Sequence, residues 1–324
     1  FNENLTTSKY NELQRNTDQP LFNRAVLGTY SPGSIIKPIL GLAALQLGVT
    51  NLTQRHICKG HYSLPGNTHR YRDWLSSGHG SVNLHKAISQ SCDVFFYEVG
   101  GRIGIDRMHD YLDQFGLGQK TNIELAGERT GLIPSTKWKK AMFSKKEDKN
   151  WFPGETVIAS IGQGYMLATP LQLANATAAL ATRGNRFKPT LISAIENPIN
   201  NEKIFNESQE LTQIKIDSQS YWEEVISAMH NVMQGSGTAK NVGLGAPYKM
   251  AGKSGTVQVI SVGQEEEYDR ELIDERFQDH ALFVAFAPLN NPEIAVAVII
   301  ENGNSGSRVA APIAKSIMDE YLGY

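Results

Sequence analysis

One segment limits the fold more than any other. From Ser34 to Leu47, residues Ile35, Ile36, Ile39, Leu40, Leu42, Ala43, Ala44, Leu45 and Leu47 put apolar side chains nearly all round a helix. A helix that is apolar all round must be enclosed by other elements. The chain is therefore expected to wrap a central helix. Pro38 is compatible with it only in the first turn, where its missing N–H has no intrahelical partner. Gly48 ends the helix, and Tyr30-Ser31-Pro32-Gly33 ahead of it reads as a turn.

The 324 residues are 40% hydrophobic, enough to build such an enclosure. The formal net charge is −2, with acidic and basic residues interleaved. Nucleic acid is excluded as a partner, because its binding needs a concentrated basic face. No stretch approaches the ~20 apolar residues of a membrane span, and no secretory signal is present. Phe1-Asn2-Glu3-Asn4 does not resemble a natural start. The chain reads as part of something longer.

Helices are expected over Asn83–Ser89, Asp93–Gly100, Asp106–Phe115 and Ser220–Met233. Thr169-Pro170-Leu171-Gln172 is a capping box that opens another, running through Thr182. Asn51–Gly80 reads as loop. Tyr248–Ile260, His280–Pro288 and Glu293–Glu301 carry β-branched and aromatic residues at period two. Gln264–Arg276 reads as a solvated excursion, and Ala310–Leu322 returns to helix. The fold class is α+β: a mostly helical body, an antiparallel sheet assembled late, and a C-terminal helix covering it.

The chemistry centres on Ser34-Ile35-Ile36-Lys37. Residues i and i+3 share a helix face, so hydroxyl and amine point the same way. A serine is a poor nucleophile until a neighbour accepts its proton. A lysine can do so when desolvation or a nearby positive charge lowers its pKa. Helix N-terminal N–H groups also favour a developing oxyanion. Ser-x-x-Lys alone arises by chance in a chain of this size. Two further motifs follow in order, Ser91-Cys92-Asp93 between two helices and Lys253-Ser254-Gly255-Thr256 in the first late strand. Gly255 would permit close approach of a ligand backbone there. That ordered triple is the signature shared by serine β-lactamases and penicillin-binding proteins.

The chain resembles the transpeptidase domain of class B penicillin-binding proteins, above all the penicillin-binding protein 2 group of rod-shaped Gram-negative bacteria. Pro20-Leu21-Phe22-Asn23-Arg24-Ala25, Tyr30-Ser31-Pro32-Gly33-Ser34, Ile161-Gly162-Gln163-Gly164-Tyr165, Thr169-Pro170-Leu171-Gln172-Leu173-Ala174 and Asp279–Pro288 carry the resemblance. It implies one transpeptidase domain over residues 1–324, lacking an N-terminal membrane anchor and pedestal region, on the periplasmic face of the inner membrane. Ser34 would attack the penultimate D-alanine of a D-Ala-D-Ala stem peptide during cell elongation, and Lys37 would take its proton. Ser91 would relay a proton to the leaving nitrogen, and Lys253 would keep that serine's surroundings positive. Ser254 and Thr256 would bind the substrate carboxylate, and the N–H groups of Ser34 and Thr256 would form the oxyanion hole. β-Lactams would acylate Ser34. Catalysis would need no cofactor. Partners would be a membrane glycan polymerase and scaffold proteins of the elongation machinery. A β-lactamase or a β-lactam sensor is the alternative on the same fold. Asp93 departs from the commoner asparagine: an anionic side chain cannot donate to a substrate carbonyl, and its expected job is to accept from Lys37 or Lys253.

Cys58, Asp73, His79 and Cys92 have the donor types of a closed four-ligand zinc site. Their loop is too polar to pack itself, and a metal would supply its missing core. The spacing matches no finger pattern, and His56, His61 and His69 compete. A Cys58–Cys92 disulfide and two free thiols are the other readings; some relatives in the resembled group hold zinc in this loop. Trp151 and Tyr165 are candidates for a substrate groove or for core. His230 and Arg308 are read as ordinary helix and surface residues.

Overall fold

The apolar helix lies where the sequence puts it. In the computed structural model, which describes residues 5–259 and 274–324, a 3-10 turn at Gly33–Ile36 runs into helix α1, Lys37–Gln46. Every residue from Lys37 to Leu45 is buried, and Pro38 sits in the first turn. Gly48 follows with φ +63, the left-handed conformation of a helix stop. Around α1 pack α2 (Leu84–Ser89), α3 (Asp93–Ile103), α4 (Ile105–Gln114) and α7 (Gln219–Val232). Between α4 and α7 in the chain lie α5 (Pro153–Ala159) and α6 (Pro170–Ala181). The capping box of α6 forms as read: Gln172 N–H donates to Thr169 Oγ1 at 3.2 Å, and Thr169 N–H to Gln172 Oε1 at 2.8 Å.

The main sheet has strands β1 (Ala251–Val257), β2 (His280–Ala287) and β3 (Ile294–Ile300), antiparallel with β2 in the middle. Leu282, Val284 and Phe286 of β2 join the core that contains α1. Ala281, Phe283, Ala285 and Ala287 join a second core beneath helix α8 (Ala311–Leu322), which contributes Ala311, Ala314 and Met318. The period-two reading of this segment changes here: β2 is buried on both faces, so its apolar residues run unbroken rather than alternating. It leaves β1 as the edge strand against the start of α1.

Three further readings change. The segment Asn51–Gly80 is not all loop: His56–Cys58 pairs with Gly80–Val82, and His61–Tyr62 pairs with Tyr71–Arg72. Helix α3 passes Gly100 and ends at Ile103, because Gly100 serves packing; a Cβ there would stand 2.3 Å from Ser160 Cβ. Strand β1 begins at Ala251 rather than Tyr248. Ile260 and residues 264–273 of the expected excursion lie outside the described residues. Among the described residues, no helix is long and apolar enough to cross a membrane.

Candidate active site and metal centre

The turn carrying Ser34 is held by two interlocked backbones. Gly33 has φ +56, and its N–H donates to Gly162 O at 2.9 Å. Gly162 has φ +74, and a Cβ on it would stand 2.2 Å from Gly33 O. Ser34 itself sits on the 3-10 turn, not on α-helix. Residues i and i+3 eclipse in that geometry, so Lys37 remains on its face. Gly255 also serves packing. Its bare face meets Ile35 Cγ1, with a Cβ there at 3.2 Å, and Pro32 O at 3.5 Å. The serine turn is thus one of the segments packed against it.

Two fully buried lysines converge on one hydroxyl. Lys37 Nζ donates to Ser91 O at 2.8 Å, to Ser91 Oγ at 3.3 Å and to Asp93 Oδ1 at 2.6 Å. Those are the three donors of an ammonium. Lys253 Nζ lies 2.9 Å from Ser91 Oγ and 2.8 Å from Ser254 O. One carboxylate cannot compensate two buried cations. Burial first, and the Lys37 charge second, push Lys253 well below the usual lysine range, with Asp93 opposing weakly. Lys253 is thus the amine that the site disfavours as a cation, while Lys37 is the one paired with Asp93. The motifs alone leave open which lysine the carboxylate faces; the fold brings Asp93 to Lys37. Asp93 does accept from Lys37, as expected.

Ser91 has φ +58, a left-handed conformation that costs a non-glycine residue about 1–2 kcal/mol. Its neighbours fix it. Cys92 N–H donates to Ala87 O at 2.9 Å. Asp93 and Val94 donate to Asp73 Oδ2 at 2.8 and 3.1 Å, and Trp74 N–H donates to Asp93 Oδ2 at 3.0 Å.

Asp73 belongs to the cysteine cluster. Ligand atoms of Cys58, Asp73, His79 and Cys92 all lie within 4.8 Å of one another, and all four residues are buried. Cys58 and Cys92 are free, so a disulfide is not formed. Both thiols lie 3.4 Å from Asp73 Oδ2, Cys58 Sγ lies 3.6 Å from His79 Nδ1, and His79 Nδ1 lies 3.4 Å from Asp73 Oδ1. Tetrahedral zinc with ligands at about 2.0–2.3 Å separates its ligand atoms by about 3.3–3.8 Å. The named distances fall in that range, while the cluster as a whole spans up to 4.8 Å, so the donor types fit zinc and the widest pair would have to draw together on binding it. Burial and then the Asp73 charge push the Cys92 thiol up, so a thiolate there needs a cation. His56, His61 and His69 are outside the cluster; His56 Nδ1 pairs with Glu98 Oε2 at 2.8 Å.

Ser254 is nearly buried and Thr256 exposed, on the strand beside the serine turn. Tyr165 is partly exposed and Trp151 half-buried. Together with Phe143 and Phe152 they ring Lys139 Nζ at 5.1–5.9 Å, and Glu155 pairs with that ammonium. Sequence reasoning missed Lys139, since its partners are scattered over residues 143–165 with no period. His230 is ordinary: its Nδ1 lies 2.7 Å from Met250 O. Arg308 is exposed on a π-turn, Gly306–Ala310, that packs Gly306 against Gly255 O.

An α+β fold in which a serine opens a buried helix and faces a lysine-bearing edge strand defines the active-site-serine class shared by penicillin-binding proteins and serine β-lactamases. Within that class, the chain belongs to the penicillin-binding protein transpeptidase domain family, whose model matches residues 3–319. It is 42% identical to the peptidoglycan D,D-transpeptidase MrdA of Acinetobacter baumannii over 99% of this chain and 47% of that protein. For MrdA of Escherichia coli K12 the identity is 38%, over 99% and 50%. The chain thus spans about half the length of these curated relatives. Among solved structures, Pseudomonas aeruginosa PBP2 in complex with WCK 5153 matches with TM-score 0.84 and 42% identity, over 98% of this chain and 67% of that one. Helicobacter pylori PBP2 in complex with MreC matches with TM-score 0.79 and 28% identity, over 99% and 55%. The family likeness read from the motifs is borne out.

Proposed function

We propose that this chain is the catalytic domain of a peptidoglycan D,D-transpeptidase that cross-links D-Ala-D-Ala stem peptides during cell elongation and is acylated by β-lactams. The observation that carries the reading is the pair of buried lysines sharing Ser91 Oγ beside the serine turn. An ammonium cannot accept a proton. Ser91 Oγ touches both amines, so a proton on Lys37 can pass through it to Lys253 and leave Lys37 able to accept. Ser34 Oγ then gives its proton to Lys37 and bonds to the carbonyl carbon of the penultimate D-alanine. Its oxyanion is held by the N–H groups of Ser34 and Thr256. Collapse breaks the peptide bond, and Ser91 hands a proton to the departing nitrogen of D-alanine. An amine of a neighbouring stem peptide attacks the ester, forms the cross-link and returns the proton to Ser34. Ser254 and Thr256 bind the substrate carboxylate.

Cys58, Asp73, His79 and Cys92 are the residues that would hold a structural zinc ion. When bound it closes a four-ligand cross-link and leaves no open position for chemistry. Asp73 passes that rigidity to the N–H groups of Asp93 and Val94. The complex of the Helicobacter relative with MreC, and a structure described as coordinating polymerization and crosslinking in a peptidoglycan synthase complex, support a scaffold protein and a membrane glycan polymerase as partners. We place the domain on the periplasmic face of the inner membrane. Incubation with a disaccharide pentapeptide should release D-alanine and yield cross-linked dimer, and Ser34→Ala should do neither. Rapid turnover of penicillin without dimer would instead mark a β-lactamase, and stable acylation without dimer a sensor.

A further inference from the structure

The loop after α7 brings one more hydroxyl to the carboxylate end of the site. Gly237 N–H donates to Gln234 O at 2.8 Å, and a Cβ on Gly237 would stand 2.0 Å from Asn231 O. The loop is therefore pressed onto the end of α7. Ala239 N–H donates to Val232 O at 2.9 Å. Thr238 N–H donates to Ser89 O at 3.3 Å, two residues before Ser91, and Gln90 Nε2 donates to Ser236 Oγ at 2.9 Å. Across the cleft, Thr238 Oγ1 lies 2.8 Å from Ser254 Oγ. The loop braces the wall that carries Ser91 to the strand that carries Ser254.

A hydroxyl has one proton to give. If Ser254 gives its proton to Thr238, none is left for a carboxylate. We propose that Thr238 is a positioning residue for substrate recognition: its hydroxyl donates to Ser254 Oγ and leaves the Ser254 proton for the C-terminal carboxylate of the stem peptide. The inference rests on the proposed function, which assigns carboxylate binding to Ser254 and Thr256. It also explains why the brace ends in a hydroxyl, since an apolar side chain of the same shape would span the gap as well.

The test compares acylation of the protein by benzylpenicillin and by its methyl ester, which lacks the carboxylate charge. Thr238→Val keeps the shape and removes the donor; Thr238→Ser keeps the donor. The ratio of second-order rate constants, acid over ester, should fall by about tenfold or more in Thr238→Val, the size of a lost hydrogen bond to a charged group. It should return to within about twofold of the parent ratio in Thr238→Ser, an estimate on the same basis. An unchanged ratio in Thr238→Val, whatever happens to the separate rates, overturns the proposal and leaves the loop a mere brace. If Thr238→Val does not fold, Thr238→Ala reads the same ratio. Ser34→Ala, run alongside, reports separately on the nucleophile: an adduct surviving there contradicts the proposed function, while the ratio still reads Thr238.

Discussion

Replacing Gly162 with alanine tests whether the serine turn is held by backbone interlock. The new Cβ would stand 2.2 Å from Gly33 O and 2.7 Å from Gly33 N. Ordinary contact begins near 3.4 Å, so the two backbones must part by about 1 Å. Nothing flexible can absorb this, because the clashing atoms are main chain. The φ of +74 adds about 1–2 kcal/mol for a residue with a Cβ. Gly33 precedes Ser34, so the displacement passes to the nucleophile. A misplacement of about 1 Å can cost on the order of a hundredfold in rate, equivalent to about 2.7 kcal/mol of barrier. Gly162→Ala should therefore lose at least about 1 kcal/mol of stability in urea unfolding and acylate with benzylpenicillin about a hundredfold more slowly. The assay is stopped-flow or quenched-mass acylation at a temperature where the variant is folded. An acylation rate within threefold of the parent would refute the reasoning.

Three further outcomes follow from the same geometry. Because Lys253 is held well below the usual lysine range, the unfolded chain keeps its proton to higher pH than the fold does. Stability should rise with pH from the folded value up to about 10.4, and Lys253→Met should remove that contribution to the slope; acylation should show an acidic limb that Lys253→Arg abolishes by being slow throughout. A pH profile unaltered by Lys253→Arg would count against the relay. Asp93→Asn keeps the shape but leaves Lys37 without its counter-charge, and should cost about 1–3 kcal/mol with at least tenfold slower acylation; a neutral result would mean that the ion pair does not organise the site. Protein purified without chelator should carry about one zinc per chain. Its removal should lower the melting temperature and expose Cys58 and Cys92 to a thiol reagent, whereas metal-free protein with unreactive thiols would remove zinc from the account.

The fold was legible where periodicity and punctuation agreed. The apolar run after Ser34, the Thr169–Gln172 capping box and the β-branched and aromatic late strands each left a local signal, and each formed, although β2 is buried on both faces rather than alternating. Glycine was less legible, because it marks both stops and close approaches. Gly48 is a stop; Gly100 and Gly255 are contact points with partners distant in sequence. The chemistry was legible as a list of residue types and not as an electrostatic arrangement. The motifs name two lysines and one carboxylate. Only the folded chain shows that Asp93 reaches Lys37, and that Ser91 sits between both amines in a left-handed conformation. Lys139 and Thr238 were invisible because their environments come from separate segments.

The central claim is that Ser34, opening the buried helix, is the group that becomes acylated. Intact-protein mass spectrometry after exposure to benzylpenicillin measures this with no assumption about partners or anchors. The account predicts a single adduct of one penicillin mass on the parent chain and none on Ser34→Ala. An adduct of the same mass on Ser34→Ala, or none on the folded parent, would contradict it.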